Sequence, residues 1–249
     1  MTYKNFTYQE KDIRGEKTLD VISKADKFNF WMFNTILPYT KGEILEIGSG
    51  IGNISLFFLE NGSKIALSDI RNNYCQNLET NFNKYSNLNS VIQLDIVDKE
   101  FDKKYSQYFN KFDSVFSLNV MEHIENEQEA ITNCKKLLKH NGVLITLVPA
   151  YKTLYCKFDE ELKHFRRYTK KSLKNVLIKE GFAITRSFYF NTIGIIGWFI
   201  SGKILRKKTI PENQMKFYNK LVPLFKIIDK LLFNSMGLSV ICIAKPNKN

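Results

Sequence analysis

The sequence contains no cysteine pair of the kind that builds a zinc site or a disulfide framework. Its four cysteines stand far apart, and no two of them form a Cys-x-x-Cys pair. This spacing argues against a zinc site and fits a reducing cytosol. The four residues are Cys75, Cys134, Cys156 and Cys242.

Long apolar runs are missing as well. No apolar stretch approaches the ~20 residues needed to cross a bilayer. The polar start, MTYKNFTYQEKDIRG, lacks the apolar core of a signal peptide. We therefore expect a cytoplasmic protein, which could still touch a membrane surface.

Acidic residues are scarce relative to basic ones. The chain has 25 Asp plus Glu against 37 Lys plus Arg, a formal net charge of +12. Such an excess favours an anionic partner, which could be nucleic acid, a membrane surface or a phosphorylated substrate, and charge alone does not choose among them. At 249 residues the chain fits a single α/β domain with additions.

From residue 43 onwards, short apolar runs alternate with amphipathic stretches. This βαβα order predicts a parallel sheet covered on both faces, with ligands at the carboxyl ends of the strands. The predicted strands are EILEIG, KIALSD, VIQLD, FDSVFSL and GVLITLVP. Five helices are predicted between and after these strands. Three begin at Gly52, at Arg71 and after Asp98, and the other two cover residues 126–139 and 170–180.

The two ends of the chain depart from this alternation. Residues 19–39 have helical apolar spacing and predict one cap helix that stops at Pro38. FAITRSFYF and LSVICIAK are strand-like and predict a late antiparallel pair that carries an insertion. We thus expect one domain with a helical cap (1–40), a sheet (41–190 and 237–249) and a helical insertion or lid (191–236), in which Pro223 would kink any long helix.

A glycine-rich turn follows the first predicted strand, in ILEIGSGIGNIS. Gly48, Gly50 and Gly52 would let a nucleoside lie against bare backbone at a helix N-terminus. Asn53 stands where a dinucleotide fingerprint has its third glycine, which weakens an NAD interpretation. Glu46 precedes the glycines, and a buried carboxylate needs a hydrogen-bonding partner.

Acids also end the next two predicted strands. Asp69 and Asp95 would line the same crevice, and Asp69 is placed to accept both hydroxyls of a ribose. Helix N-capping would explain either residue alone, but it explains poorly their occurrence together with Glu46 and the glycines.

With LEIGSGIGN, Asp69, Asp95 and FDSVFSLNVMEHI, the chain resembles class I S-adenosylmethionine (SAM)-dependent methyltransferases from about residue 43 to the last strand. The resemblance implies an α/β, Rossmann-like fold of seven mostly parallel strands with an antiparallel last strand, and SAM as cofactor. It implies that the three glycines pack under the cofactor and that Glu46 orients the loop and its methionine end. It further implies that Asp69 holds the ribose, that Asp95 with the Ile96 backbone meets the adenine, and that Asn119 lies beside the methionine portion. Ser49, Asn53 and Ile70 are the remaining predicted cofactor contacts.

Within that class, ADKFNFWMF, LNVMEHI, HFRRYTKKSL and FNTIGIIGWFISGKIL resemble bacterial small-molecule methyltransferases associated with surface-glycan or polyprenol-linked glycosylation. That resemblance implies the activity but says little about the substrate; we expect the acceptor atom to be an oxygen of an anionic or sugar intermediate of surface-polysaccharide synthesis. The acceptor could carry a phosphate, a phosphoramidate or a nucleotide.

Two histidines are candidates for acid–base chemistry. His123 follows the fourth strand and could face the methyl group, although a packing role is an equal alternative, and His164 precedes the helix that Thr169 is expected to cap. Some quinone O-methyltransferases have a Glu-x-x-Glu-His metal site in this loop. Here Asn119 replaces the first Glu and leaves only two ligands, so we predict no metal.

HFRRYT is the predicted acceptor segment. Arg166 and Arg167 suit bidentate recognition of phosphate or carboxylate, and Tyr168 and Trp31 are predicted to complete the substrate contacts. The alternative is that the arginines pair with Asp159, Glu160 or Glu161.

Other functions stay open at this point. They are methylation of a quinone or lipid at the membrane, RNA methylation, and a non-catalytic SAM-binding subunit at the membrane. No RNA-binding module is visible, so we expect no nucleic-acid partner. The basic, apolar insertion could contact a membrane, but a lid or a homodimer contact is favoured.

Overall fold

The computed structural model describes residues 13–247, and the predicted cap residues 1–12 and the terminal residues 248–249 lie outside that range. One seven-stranded sheet forms its centre. The strands are β1 (Ile44–Ile47), β2 (Ile65–Asp69), β3 (Leu88–Gln93), β4 (Phe112–Leu118), β5 (Leu138–Pro149), β6 (Phe182–Phe190) and β7 (Ser239–Pro246).

Helices surround this sheet. They are α1 (Ile13–Ser23), α2 (Asp26–Ile36), α3 (Ser55–Glu60), α4 (Asn72–Phe82), α5 (Phe101–Lys104), α6 (Glu127–Leu137), α7 (Lys157–Glu161), α8 (Lys170–Lys179), α9 (Thr192–Trp198) and α10 (Glu212–Leu231). A π-helical turn, Phe199–Ile204, follows α9, and short 3-10 turns cover Leu37–Tyr39, Ser106–Tyr108, Met121–His123 and Lys152–Leu154.

The strand order is β3-β2-β1-β4-β5-β7-β6. The first five strands are parallel to their neighbours, whereas β7 is antiparallel to both β5 and β6. This confirms the predicted fold class, including the antiparallel last strand. The order reverses between β1 and β4, which opens a crevice at their carboxyl ends.

Successive β1 residues point to opposite faces of the sheet and into two separate cores. Leu45 and Val115 belong to the cluster that includes residues of α6 and α8. Ile44 and Phe116 belong to the cluster that includes residues of α2, α3 and α10. Both faces of β1 and β4 are therefore buried, whereas most of the edge strand β3 is half-buried or exposed.

Two predicted element boundaries are wrong. The single cap helix is two helices, because Ala25 leaves the helical region (φ −101°, ψ 63°) between α1 and α2. The helix predicted over 126–139 ends at Leu137, because Leu138 already pairs with Phe112 in the sheet. In the insertion, α10 is 20 residues long and includes Pro223, and the kink there stays a prediction.

Candidate functional site

A glycine loop, residues 48–52, joins β1 to α3 at the sheet's switch point. Its three glycines all have positive φ: 74° at Gly48, 55° at Gly50 and 85° at Gly52. A Cβ at Gly48 would lie 2.5 Å from Val120 Cγ2, and one at Gly52 would lie 2.3 Å from Phe82 Cε2. Both conformation and space therefore require glycine at these two positions.

Glu46 lies in β1 just before this loop and is 4% exposed. Its carboxylate accepts a hydrogen bond from the Ser55 hydroxyl at the start of α3. Burial raises the pKa of Glu46 to about 7, while Ser55 and Ser49 oppose that shift. Glu46 thus ties β1 to α3 across the glycine loop.

Asp69, at the carboxyl end of β2, also reaches the glycine loop. Its carboxylate accepts hydrogen bonds from Gly50 N–H (3.0 Å) and Arg71 N–H (2.9 Å). Burial raises the pKa of Asp69, and these two N–H groups oppose the shift. Ser49 adds a second link to β2, because its N–H donates to Ser68 O (2.8 Å).

The other predicted cofactor residues lie at the same edge of the sheet. Asp95 follows β3, is half-buried, and accepts a hydrogen bond from Val97 N–H (3.0 Å). Ile96 is buried, and its carbonyl accepts from Asn133 Nδ2 (2.9 Å). Asn119 follows β4, is exposed, and has a positive φ of 56°. Half-buried Ile70 follows Asp69 directly.

Helix α1 lies over the glycine loop, a contact that sequence reasoning missed. Asn53 Nδ2 donates to Leu19 O (3.2 Å), and a Cβ at Gly50 would lie 3.1 Å from Leu19 Cδ1. Arg14 of α1 also pairs with Glu161 of α7. Asn53 therefore attaches the cap to the loop, and no local sequence signal indicates that partner.

Three side chains from two loops form a Glu–His–His cluster: Glu122, His123 and His164. The rings of His123 and His164 meet edge to face with centroids 4.6 Å apart. One potential ligand atom from each residue lies within 4.8 Å of the other two. The prediction of no metal rested on a count of two ligands, and the structure adds His164 as a third potential ligand. The absence of a metal therefore stays a prediction.

Each of the two histidine rings is oriented by a hydrogen bond to a neighbouring residue. His164 Nδ1 lies 2.8 Å from Asp159 Oδ1, and His123 is hydrogen-bonded to the Leu162 backbone. Such partners fix the ring orientation and leave the remaining nitrogen of each ring available.

Glu122 is completely buried, and neither carboxylate oxygen accepts a hydrogen bond from another described residue. Burial raises the pKa of Glu122 to about 7. His123 as a whole is half-buried. Burial lowers the pKa of His123 to about 3, and the neighbouring His164 contributes to that shift. At neutral pH the His123 imidazole is therefore uncharged.

The two arginines of HFRRYT have partners within the chain. Arg167 is buried; its Nε donates to Asp159 Oδ1 (2.7 Å) and its Nη1 to Ala150 O (2.9 Å). Although burial opposes ionisation, His164 and Arg167 hold the pKa of Asp159 below its usual range. Arg166 Nη2 donates to Glu125 O (2.7 Å), and its Nη1 lies 3.3 Å from Glu127 Oε1.

Tyr168 and Trp31 are buried, which limits what either can offer a substrate. The Tyr168 hydroxyl donates to the Glu127 carboxylate, and Trp31 packs against Phe190 with ring centroids 4.4 Å apart. Only 3% of Tyr168 and 7% of Trp31 is exposed. Thr169 caps α8, as predicted, by accepting from Ser172 N–H (3.1 Å). The substrate roles of Tyr168, Trp31 and the two arginines stay predictions.

The comparisons with known proteins agree with this geometry. Residues 45–144 match a methyltransferase domain. The match spans the glycine loop, Asp69, Asp95 and the first two members of the Glu–His–His cluster, and it ends within β5. No curated protein matches the chain in sequence.

Solved structures of this domain type share the fold of nearly the whole chain. A SAM-dependent methyltransferase from Archaeoglobus fulgidus is 21% identical over 87% of this chain and 94% of its own, with a TM-score of 0.56. A putative sarcosine dimethylglycine methyltransferase from Galdieria sulphuraria is 14% identical over 89% and 85%, with a TM-score of 0.59.

A third structure, from Haemonchus contortus, holds two ligands. It is a phosphoethanolamine N-methyltransferase 2 in complex with phosphomonomethylethanolamine and S-adenosylhomocysteine. It is 16% identical over 97% of this chain and 61% of its own, with a TM-score of 0.63. The chain therefore has the fold of SAM-dependent methyltransferases, and SAM is the cofactor of the domain type that residues 45–144 match.

Proposed function

We propose that this chain transfers a methyl group from SAM to a small-molecule acceptor. The observation that carries the proposal is the glycine loop at the switch point, with the carboxylates of Glu46 and Asp69 hydrogen-bonded around it. Bare backbone and an Asp at the carboxyl end of β2 are the elements that hold a nucleoside in such sheets. The methyltransferase domain match covers these same residues.

Each cofactor residue has a proposed role. Asp69 binds the ribose hydroxyls, and Asp95 with the Ile96 backbone binds the adenine. Asn119 lies beside the methionine portion, at the carboxyl end of β4. SAM supplies an electrophilic methyl group, so the chain's own task is to align an acceptor with that methyl and to exclude water.

We further propose that the acceptor atom is an oxygen of an anionic or sugar-bearing metabolite. Support for an anionic acceptor comes from the +12 net charge and from Arg166, whose side chain keeps 27% of its surface exposed beside Glu127. The Haemonchus relative is bound to a phosphorylated compound, which is consistent with an anionic acceptor, but it is an N-methyltransferase and does not support oxygen as the acceptor atom. An intermediate of surface-polysaccharide synthesis remains the specific acceptor to test.

Within this reaction, His123 is the proposed general base. Its bond to the Leu162 backbone leaves one ring nitrogen to accept the acceptor's hydroxyl proton. The lowered pKa makes the free ring a weak base, so a bound acceptor must raise that pKa for the proton to transfer. His164 is proposed as the residue that orients His123, since Asp159 fixes its ring. An acceptor that is already an anion at the reacting oxygen would not need this base.

Calorimetric SAM binding tests the cofactor site. We expect Asp69→Asn to weaken SAM binding by about 10- to 100-fold, because one hydrogen-bonded charge is lost. Asp102→Asn, at an exposed position in α5, serves as the control and should bind SAM normally. Equal SAM affinity in both variants would contradict the assigned ribose contact.

The reaction itself is tested with methyl-labelled SAM and metabolite extracts, followed by mass spectrometry of labelled products. We expect a labelled small anionic or sugar compound, and a loss of about 10²- to 10⁴-fold in turnover for His123→Gln without loss of SAM binding. Labelled RNA would instead support RNA methylation. SAM binding without any labelled product would support a non-catalytic subunit.

A further inference from the structure

The helical insertion presents an apolar stripe to the outside of the molecule. Phe217, Leu224, Ile227 and Leu231 recur at helical spacing along one side of α10 and are 65%, 53%, 55% and 70% exposed. Phe233, just after the helix, is 90% exposed. An apolar face of this kind is normally turned inward, so its exposure needs a physical reason.

The exposure does not arise from a loosely attached helix. On the opposite side of α10, Val222 and Phe225 are buried in the core that includes residues of α2. Asn219 Oδ1 accepts from Phe28 N–H (3.0 Å), and its Nδ2 donates to Asp26 (2.6 Å). The helix is thus fixed by its inner face while the stripe stays outside.

The segment before α10 adds to the same exposed apolar surface. The π-helical turn contributes Phe199, Ile200 and Ile204, and it is linked to α10 where Ser201 Oγ donates to Gln214 Oε1 (2.9 Å). We call the exposed apolar side chains of 196–236 the insertion surface. They are Ile196, Phe199, Ile200, Ile204, Leu205, Phe217, Leu224, Ile227, Leu231, Leu232, Phe233 and Met236.

This clustering is specific to the insertion. Among the described residues, the other large apolar side chains that are exposed are Ile13, Phe30 and Ile178, of which Phe30 lies beside α10, with Lys226 Nζ 5.6 Å from its ring centroid. Single exposed apolar residues are common on protein surfaces, but a cluster of twelve indicates a contact surface.

The charges around the insertion surface indicate which partner fits. Residues 191–236 contain eight Lys or Arg and two acids, which gives +6, half of the chain's net charge. Asp229 is buried and accepts from the N–H groups of Asn191 and Thr192 (2.7 and 2.8 Å). Glu212 pairs with Lys216 (2.8 Å) and lies 3.6 Å from Lys24. Apart from Glu212, the exposed charged residues of 191–236, here called the rim, are therefore cationic.

From this combination we propose that the insertion surface binds the surface of an anionic lipid bilayer. Apolar side chains enter the boundary between headgroups and acyl chains while the surrounding Lys and Arg contact anionic headgroups. No helix within 13–247 is long and apolar enough to cross a membrane. A second copy of the chain fits less well, because two cationic rims would face each other.

Flotation of the full chain with lipid vesicles tests the proposal. We expect binding to vesicles of phosphatidylcholine mixed with phosphatidylglycerol, weak binding to phosphatidylcholine alone, and release as salt is raised. Lys220→Gln should weaken binding by about fivefold, since a lysine near such a surface contributes about that factor. Phe217→Ser with Leu231→Ser should weaken it further.

The matched controls are Ile178→Ser, an equally exposed apolar residue of α8, and Lys103→Gln of α5. Both should bind vesicles like the unaltered chain. All substituted positions are exposed, so thermal unfolding should show that each variant is folded. The proposal is overturned if the controls weaken binding as much as the surface variants, if vesicle charge has no effect, or if the chain ignores vesicles and forms a dimer that Phe217→Ser disrupts.

Discussion

Replacing Glu122 with Gln should remove the part of the pH dependence of folding stability that this carboxyl group causes. Glu122 is fully buried without a hydrogen bond to either oxygen from another described residue. Burial raises its pKa from 4.5 to about 7 in the folded chain. The folded state therefore holds this proton more tightly than the unfolded state does, and Glu122 contributes stability below pH 4.5 that is lost as the pH rises through about 7.

The size of this effect follows from the pKa difference. At about 1.4 kcal/mol per pKa unit, the change from 4.5 to about 7 corresponds to about 3 kcal/mol of unfolding free energy. Gln has nearly the same shape and no charge at any pH. Relative to the unaltered chain, Glu122→Gln should therefore gain about 3 kcal/mol between about pH 4.5 and pH 8.

Urea unfolding at several pH values measures this difference directly. Glu46, whose pKa is also raised to about 7, remains in both proteins, so its contribution cancels. Glu60→Gln, at an exposed position in α3, controls for the loss of one carboxylate. A stability difference between Glu122→Gln and the unaltered chain that does not change with pH would refute the reasoning.

Three further predictions concern the loop, the buried ion pair and the cluster. Gly52→Ala should lower the melting temperature more than Gly62→Ala, because both have positive φ but only Gly52 lacks space for a Cβ; equal effects would show that backbone strain alone matters. Arg167→Met should lower the unfolding free energy, measured with urea, by about 3–5 kcal/mol, because Asp159 stays buried without its guanidinium partner. Arg166→Ala should lower it by about 1 kcal/mol or less. Similar losses in the two variants would contradict the assigned burial. Methyl transfer should be unchanged by EDTA, because the nearby guanidinium of Arg167 disfavours a cation at the Glu–His–His cluster; loss on chelation that a divalent ion restores would show a metal site.

Sequence patterns predicted the cofactor side of the fold because its determinants are local. The glycine loop, Glu46 and Asp69 stand at strand ends whose positions follow from alternating apolar and amphipathic runs. Each glycine of the loop has a positive φ, a conformation that glycine adopts without the steric cost a side chain would bring. Parallel strands then bring these ends to one edge, so short motifs are enough to locate the site.

The acceptor side could not be read in the same way, because its contacts join distant segments. His164 and Glu122 are 42 positions apart, and they are held together where Phe165 N–H donates to Glu122 O (2.8 Å). Asp159 binds both His164 and Arg167 at one oxygen. Nothing in HFRRYT itself distinguishes a buried arginine that pairs with Asp159 from one that faces an acceptor.

Helix α10 shows why apolar periodicity alone does not decide which residues of the insertion are buried, and the lid or dimer contact stays a prediction. The prediction of a lid assumed that the apolar stripe faces the chain's own sheet. The structure instead buries two polar residues, Asn219 and Asp229, on the inner side, where each has hydrogen-bonding partners, and leaves Phe217 and Leu231 outside. A polar residue is stable inside when it is fully bonded, and an apolar residue is costly outside unless a partner covers it. The face that periodicity assigns to the core is therefore the face on which this chain is expected to meet a membrane.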